Sequence, residues 1–153
     1  MENPVKNKTV IAVAAVCACL GALPPHAASK QQTFAAAVAA GKHIFLTDSF
    51  GSHERIHGMK MTCDTCHING GRTMGRLPNG KRFPSLINAA AIFPRYNPRA
   101  HTVITLETQI RSCVRNGLMG QPPAYGSKTM TDLVSYLASI ARGQRVDPNG
   151  MPR

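Results

Sequence analysis

Hydrophobic positions recur at helical spacing in three stretches of this chain. The first stretch, residues 33–47, carries apolar or small residues on one face: Phe34, Val38, Gly41 and Phe45. Thr33 precedes this face and suits the N-cap of a helix, because its side-chain oxygen can accept a backbone N–H. We therefore expect a helix over residues 33–47.

The second stretch predicts a helix over residues 105–116. Thr105 is a good N-cap, and Gly117 is a typical residue at which a helix ends. One face of this helix consists of Leu106, Ile110, Cys113 and Val114. The pattern therefore points Cys113 toward the interior.

The third stretch predicts a last helix over residues 129–142, which ends at Gly143. Its apolar face consists of Met130, Leu133, Val134, Leu137, Ile140 and Ala141. Residues 144–153 have no such pattern and contain Pro148 and Pro152, so we expect a flexible C-terminal tail.

Between the helices the sequence predicts loops. Residues 48–61 are polar and contain glycine, and residues 72–104 are rich in Gly, Pro and Arg. No strand pattern of any length is visible, so the expected fold class is all-α.

The N-terminus has the features of a secretory signal peptide. Lys6 and Lys8 precede an apolar run over residues 10–23, which is short for a membrane span, and small residues follow at 27–29. We expect cleavage near residues 27–28, a periplasmic location and no stable membrane span afterwards. The alternatives are an uncleaved anchor or a lipid anchor on Cys19.

The segment Cys63-Asp64-Thr65-Cys66-His67 has the C-x-x-C-H pattern of covalent haem attachment. Two thiols one helical turn apart can bond to the two vinyl groups of a porphyrin, and the next residue, His67, can ligate the iron. A zinc site would need a further ligand pair, and a thioredoxin-like motif would need a βαβ pattern. The motif therefore predicts one haem c bound by Cys63, Cys66 and His67.

Charge and cysteine content narrow the function. From residue 29 onward the chain has 16 Lys and Arg against 6 Asp and Glu, a net charge of +10. This charge favours an acidic redox partner or a small anion, and export excludes nucleic acid.

Cys113 is left unpaired once the signal and the haem motif are accounted for, so it is a buried filler, an intermolecular disulfide partner or a metal ligand.

The order of helix, haem motif, irregular segment and closing helix resembles the class I cytochrome c fold over residues 33–143. That resemblance implies a single domain wrapped around the haem, in which the first and last helices cross near a small residue. Here Gly41 and Phe45 would meet Leu133 and Tyr136.

Three segments resemble the haem domains of thiosulfate dehydrogenases and of the A subunit of SoxAX sulfur-oxidation cytochromes: residues 93–96, 105–107 and 113–122. The resemblance implies that Cys113 ligates the iron opposite His67, and that sulfur chemistry takes place on that side. Arg111 and Arg115, the basic residues around Cys113, are candidates for holding a sulfur oxyanion. Family enzymes commonly carry two haem domains, so this chain, with one C-x-x-C-H, would pass electrons to a partner cytochrome.

Met119 is the alternative sixth ligand, because class I cytochromes place a methionine in the loop before the last helix. The remaining candidates are His43, His53, His57, His101, Met59, Met61, Met74 and Met130.

The haem motif and the two possible sixth ligands are compatible with two main functions. The first is periplasmic electron transfer, within the oxidation of sulfur compounds, and the second is oxidation of thiosulfate or a related anion at a His67/Cys113-ligated iron.

Overall fold

A computed structural model describes the backbone of residues 25–153 and the side chains of residues 33–153. The predicted signal peptide lies outside the described residues, except for its last four positions, which belong to the first helix. Within the described part the helices are α1 (Pro25–Thr47), α2 (Cys63–Cys66), α3 (Ala89–Ile92), α4 (Leu106–Asn116) and α5 (Lys128–Ile140). Among residues 25–153, no helix combines the length and the apolar composition that a bilayer span requires.

Helices α1 and α5 cross at Gly41, as the resemblance to class I cytochromes c implies. A Cβ atom placed on Gly41 would lie 1.9 Å from the carbonyl oxygen of Asp132 and 2.9 Å from the Cβ of Tyr136. Only glycine permits this approach of the two backbones. One turn further along α1, the rings of Phe45 and Tyr136 pack with their centroids 5.5 Å apart. The crossing is the centre of the core, where Phe45 and Leu133 are almost fully buried.

Capping side chains fix where α4 and α5 begin. Thr105 Oγ1 accepts the backbone N–H of Thr108 at 3.2 Å, which confirms the predicted N-cap of α4. Helix α5 begins after Ser127, whose Oγ accepts the N–H of Met130, and ends at Ile140. The start predicted for α1 is wrong, because the helix extends well before Thr33.

The all-α prediction is wrong in one respect, because the fold is mainly helical but also contains three small antiparallel hairpins. In the described residues these pair β1 (Arg55–Ile56) with β2 (Met59–Lys60), β3 (Gly75–Arg76) with β4 (Arg82–Phe83), and β5 (Arg95–Asn97) with β6 (Thr102–Ile104). Strands of two or three residues are too short to leave an alternating pattern in the sequence. The turn between β1 and β2 consists of His57 and Gly58, which both have positive φ, as the two-residue turn of a tight hairpin requires.

The C-terminal segment packs against the part of the chain that follows the haem motif. Asn88 Nδ2 donates to the carbonyl of Met151 at 2.9 Å, and Ser85 Oγ donates to the carbonyl of Arg153 at 2.8 Å. Both Ser85 and Asn88 are buried. Residues 144–153, which the sequence predicts to be a flexible tail, thus make hydrogen bonds to Ser85 and Asn88. The sequence could not indicate them, because the partners lie more than 60 positions away.

Candidate haem site

The C-x-x-C-H motif begins in α2, which is a single helical turn. The backbone N–H of Thr62 donates to Thr65 Oγ1 at 2.9 Å and so fixes the start of this turn. Cys63 and Cys66 are its first and last residues, and the i, i+3 spacing places them on the same face. Both thiols can therefore bond to one edge of a porphyrin.

The sulfur atoms lie in a poorly solvated region. Burial, followed by repulsion from Cys113 and Cys66, raises the pKa of the free Cys63 thiol to about 12. Burial also raises the pKa of the free Cys66 thiol, and Cys113 adds to that shift. Cys63 and Cys113 line one small cavity, so Cys113 lies near the haem motif although it comes 50 positions after Cys63 in the chain.

The imidazole of His67 is held in one orientation. Its Nδ1 lies 2.8 Å from the carbonyl oxygen of Pro84, and since a carbonyl can only accept, Nδ1 carries the proton. The ring of Phe83 packs edge-on against the imidazole, with the centroids 5.8 Å apart. Burial lowers the pKa of His67, which favours the neutral ring. Nε2 is therefore unprotonated and can ligate a metal, as is typical of a metal-binding histidine fixed by a carbonyl.

Two adjoining cavities open beside this histidine. The smaller, about 80 Å³, has almost entirely apolar walls, to which Phe45 of α1, Ile110 of α4 and Leu137 of α5 contribute. The larger, about 680 Å³, is within the size range of cofactor sites. His67 and Cys113 belong to the walls of both cavities. Two thiols, an oriented imidazole and an apolar enclosure are what a haem c needs, so the residues present fit that group.

Cys113 reaches the cavities from α4. Cys113 lies on the face of α4 that the sequence predicts, since Leu106, Ile110 and Val114 line the smaller cavity with it, and its accessible surface opens into the cavities. The residue lines both cavities, so it faces the space available for a ligand and not the packed core. Burial of the sulfur raises the pKa of the Cys113 thiol, whereas a hydrogen bond from Gln109 lowers it. Gln109 Nε2 donates to the sulfur at 3.3 Å.

The alternative sixth ligand is not brought to the cavities. Met119 has 62% of its surface exposed, and it lies in neither cavity wall. The same holds for the remaining candidates, none of which lines either cavity: His43, His53, His57, His101, Met59, Met61, Met74 and Met130. Among the residues weighed as partners of His67, Cys113 is the one that shares its cavities.

The two arginines suggested as oxyanion ligands lie outside the cavity walls. Arg111 donates to the carbonyl oxygen of Pro123, and its guanidinium stacks on Tyr125, 4.5 Å from the ring centroid. Arg111 thus fixes the loop between α4 and α5. Arg115 is exposed.

The larger cavity has polar wall residues that the sequence analysis did not identify as site residues. Gln109 and three basic residues, Lys81, Arg95 and Arg99, line the larger cavity. The signal for Gln109 was present, since it precedes Cys113 by one helical turn. The basic residues come from two hairpins that have no sequence pattern, so their proximity to His67 could not be inferred.

The chain is similar to thiosulfate dehydrogenases. It is 29% identical over 124 residues to a thiosulfate dehydrogenase of Thiomonas intermedia (strain K12), covering 81% of this chain and 37% of that protein. It is 23% identical over 130 residues to a thiosulfate dehydrogenase of Psychrobacter arcticus, covering 84% of this chain and again 37% of the other. The chain therefore corresponds to little more than a third of these relatives.

A solved structure shares the fold. The thiosulfate dehydrogenase TsdBA of Marichromatium purpuratum, in its as-isolated form, superposes with a TM-score of 0.57 over 78% of this chain and 25% of that one, at 22% identity. The model of the SoxA/TsdA cytochrome c domain matches residues 53–146, which include the C-x-x-C-H motif, Cys113 and α5. A cytochrome c domain implies haem c. The chain belongs to the SoxA/TsdA cytochrome c domain family.

Proposed function

We propose that this chain is an exported c-type cytochrome with one haem, bound covalently by Cys63 and Cys66 and ligated by His67 and Cys113. Its function in this proposal is periplasmic electron transfer within the oxidation of sulfur compounds. The observation that carries the proposal is the presence of His67 and Cys113 in the walls of the same cavities, from which Met119 is absent.

When bound, haem iron gains and loses single electrons. The residues of this chain set the conditions for that exchange. His67, fixed by Pro84, offers an unprotonated Nε2. A thiol at a metal loses its proton, so Cys113 would bind as a thiolate and stabilise the ferric state. On the side of the smaller cavity, apolar walls keep water away from both ligands. We therefore expect a low reduction potential.

The partner in this proposal is an acidic periplasmic redox protein. Lys81, Arg95 and Arg99 line the larger cavity and, with the net charge of the chain, favour an approach to that side by a negatively charged surface. Such an approach would bring the partner close to the haem edge.

A second candidate function is oxidation of thiosulfate or a related sulfur anion at the same site. The observation that favours it is the basic character of the larger cavity, in which a small oxyanion would find cationic side chains beside Cys113. Two thiosulfate ions joined by a new S–S bond would release two electrons. One haem accepts one electron at a time, so the electrons would pass on singly to an acceptor cytochrome.

The ligand proposal is tested with Cys113→Ala and a matched control, Met119→Ala, in the purified haem protein. We expect Cys113→Ala to change the ferric absorption spectrum and to raise the reduction potential, because a thiolate stabilises ferric iron. We expect Met119→Ala to change neither, because its side chain is exposed. A methionine–iron charge-transfer band in the unmodified protein, or its loss in Met119→Ala, would contradict the proposal.

The two functions are separated by anaerobic addition of thiosulfate together with an oxidised acceptor cytochrome. Reduction of the acceptor that depends on thiosulfate and is lost in Cys113→Ala would support catalysis. Reduction only by a reduced donor protein, with no response to thiosulfate, would leave electron transfer as the function.

A further inference from the structure

The amide of Gln109 lies beside the sulfur of Cys113. Gln109 precedes Cys113 by four residues on α4, so the two side chains share one face of the helix. Gln109 Nε2 donates a hydrogen bond to Cys113 Sγ at 3.3 Å, and both side chains line both cavities. The donor therefore stands at the wall that a haem ligated by Cys113 would face.

The other polar groups on this part of α4 have different partners. Asn116 Nδ2 donates to Ser112 Oγ at 3.1 Å, and Arg111 donates to the carbonyl of Pro123. Asn116 and Ser112 line the larger cavity without taking part in the hydrogen bond at the sulfur. Asn116 thus offers a matched control, since its amide also makes a hydrogen bond to a residue four positions away on the same helix.

We propose that Gln109 is a positioning residue that holds the Cys113 sulfur and raises the reduction potential of the haem by hydrogen bonding to it. This inference rests on the proposed function, because it requires Cys113 to ligate the iron. An N–H donor withdraws electron density from a thiolate and weakens its donation to the metal. Ferric iron benefits more from that donation than ferrous iron does, so the hydrogen bond favours reduction.

The test is a potentiometric titration of the haem protein in four forms: unmodified, Gln109→Leu, Gln109→Glu and Asn116→Ala. Leucine is close in size but has no donor, so we expect the equilibrium for reduction to fall about tenfold, which is about 59 mV for a one-electron couple. Glutamate replaces the donor with a carboxylate beside the thiolate, and we expect a larger fall. Asn116→Ala should leave the potential within the error of the unmodified protein.

Absorption and electron paramagnetic resonance spectra of the ferric forms accompany each titration, because they report whether the thiolate remains bound. A Gln109→Leu protein with an intact thiolate spectrum and an unchanged potential would overturn the role of Gln109 alone. Equal shifts in Gln109→Leu and Asn116→Ala would overturn it too, because they would indicate a general effect on α4. If Cys113→Ala leaves the spectrum of the unmodified protein unaltered, the ligand proposal itself fails. If Gln109→Leu does not yield folded protein, the reduction potential of Gln109→Glu is compared with that of the unmodified protein, and an unchanged potential with an intact thiolate spectrum would likewise overturn the role of Gln109.

Discussion

Replacing Gly41 with alanine tests the crossing of α1 and α5. In an open helix this change stabilises by roughly 0.8–1.0 kcal/mol, because alanine is the better helix former. Here the added Cβ would lie 1.9 Å from the carbonyl oxygen of Asp132 and 2.9 Å from the Cβ of Tyr136. The first of these atoms belongs to the backbone, so it can move only if α5 moves.

The expected result is a net loss of stability. Overpacking typically costs about 1–3 kcal/mol and occasionally more, and a backbone clash belongs at the upper end of that range. After subtraction of the gain in helix propensity, we expect Gly41→Ala to lower the free energy of unfolding by about 2 kcal/mol. For a domain of this size that corresponds to a decrease in Tm of roughly 8 °C.

The assay is urea and thermal unfolding of the haem protein, followed by circular dichroism. Lys42→Ala is the control, because Lys42 is the next residue of α1 and is exposed. It should leave Tm nearly unchanged. A Gly41→Ala protein as stable as the unmodified one would refute the reasoning, since it would mean that the helices do not approach as closely as the structure has them.

Two further predictions concern the core and the larger cavity. Tyr136→Phe removes the hydrogen bond from the Tyr136 hydroxyl to the carbonyl of Gly70 (2.7 Å) and leaves that buried carbonyl unsatisfied, so urea unfolding should show a loss of about 1–3 kcal/mol. Burial raises the pKa of the Tyr136 hydroxyl. The stability that the protonated hydroxyl contributes is therefore present below pH ~10, the pKa of tyrosine in the unfolded chain, and is lost as the pH rises through the higher pKa of the folded state. The loss of stability at alkaline pH should be smaller in Tyr136→Phe. If thiosulfate is turned over, Arg99→Ala should raise the KM for thiosulfate about tenfold through the loss of a charged contact. Arg115→Ala, outside the cavity walls, should leave that KM unchanged, and equal effects of the two changes would argue against the cavity as the binding site.

The sequence predicted the features that depend on neighbouring residues. The C-x-x-C-H motif and the Thr105 cap depend on neighbours within one helical turn, whereas the crossing at Gly41 was expected from the resemblance to class I cytochromes c. Cys113 was singled out by counting cysteines and by resemblance, and it does share cavities with His67.

The sequence was uninformative where distant segments meet. Arg111 looked suited to binding an anion because of its position beside Cys113, but its guanidinium is occupied by Pro123 and Tyr125. Arg99, which follows a hairpin strand of three residues, lines the cavity instead. Contacts of this kind depend on how loops fold over the site, and short loops have no periodicity from which to infer them.

The crossing at Gly41 also closes most of the domain into one loop. Gly41 and Asp132 are about 90 positions apart, so their contact closes a loop that contains the whole haem-binding segment. The entropy lost in closing so long a loop has to be offset by the contacts made at the crossing and inside the loop. The contact between α1 and α5 therefore joins the two ends of the domain around the haem-binding segment, and losing it would release a constraint on the whole segment that it encloses.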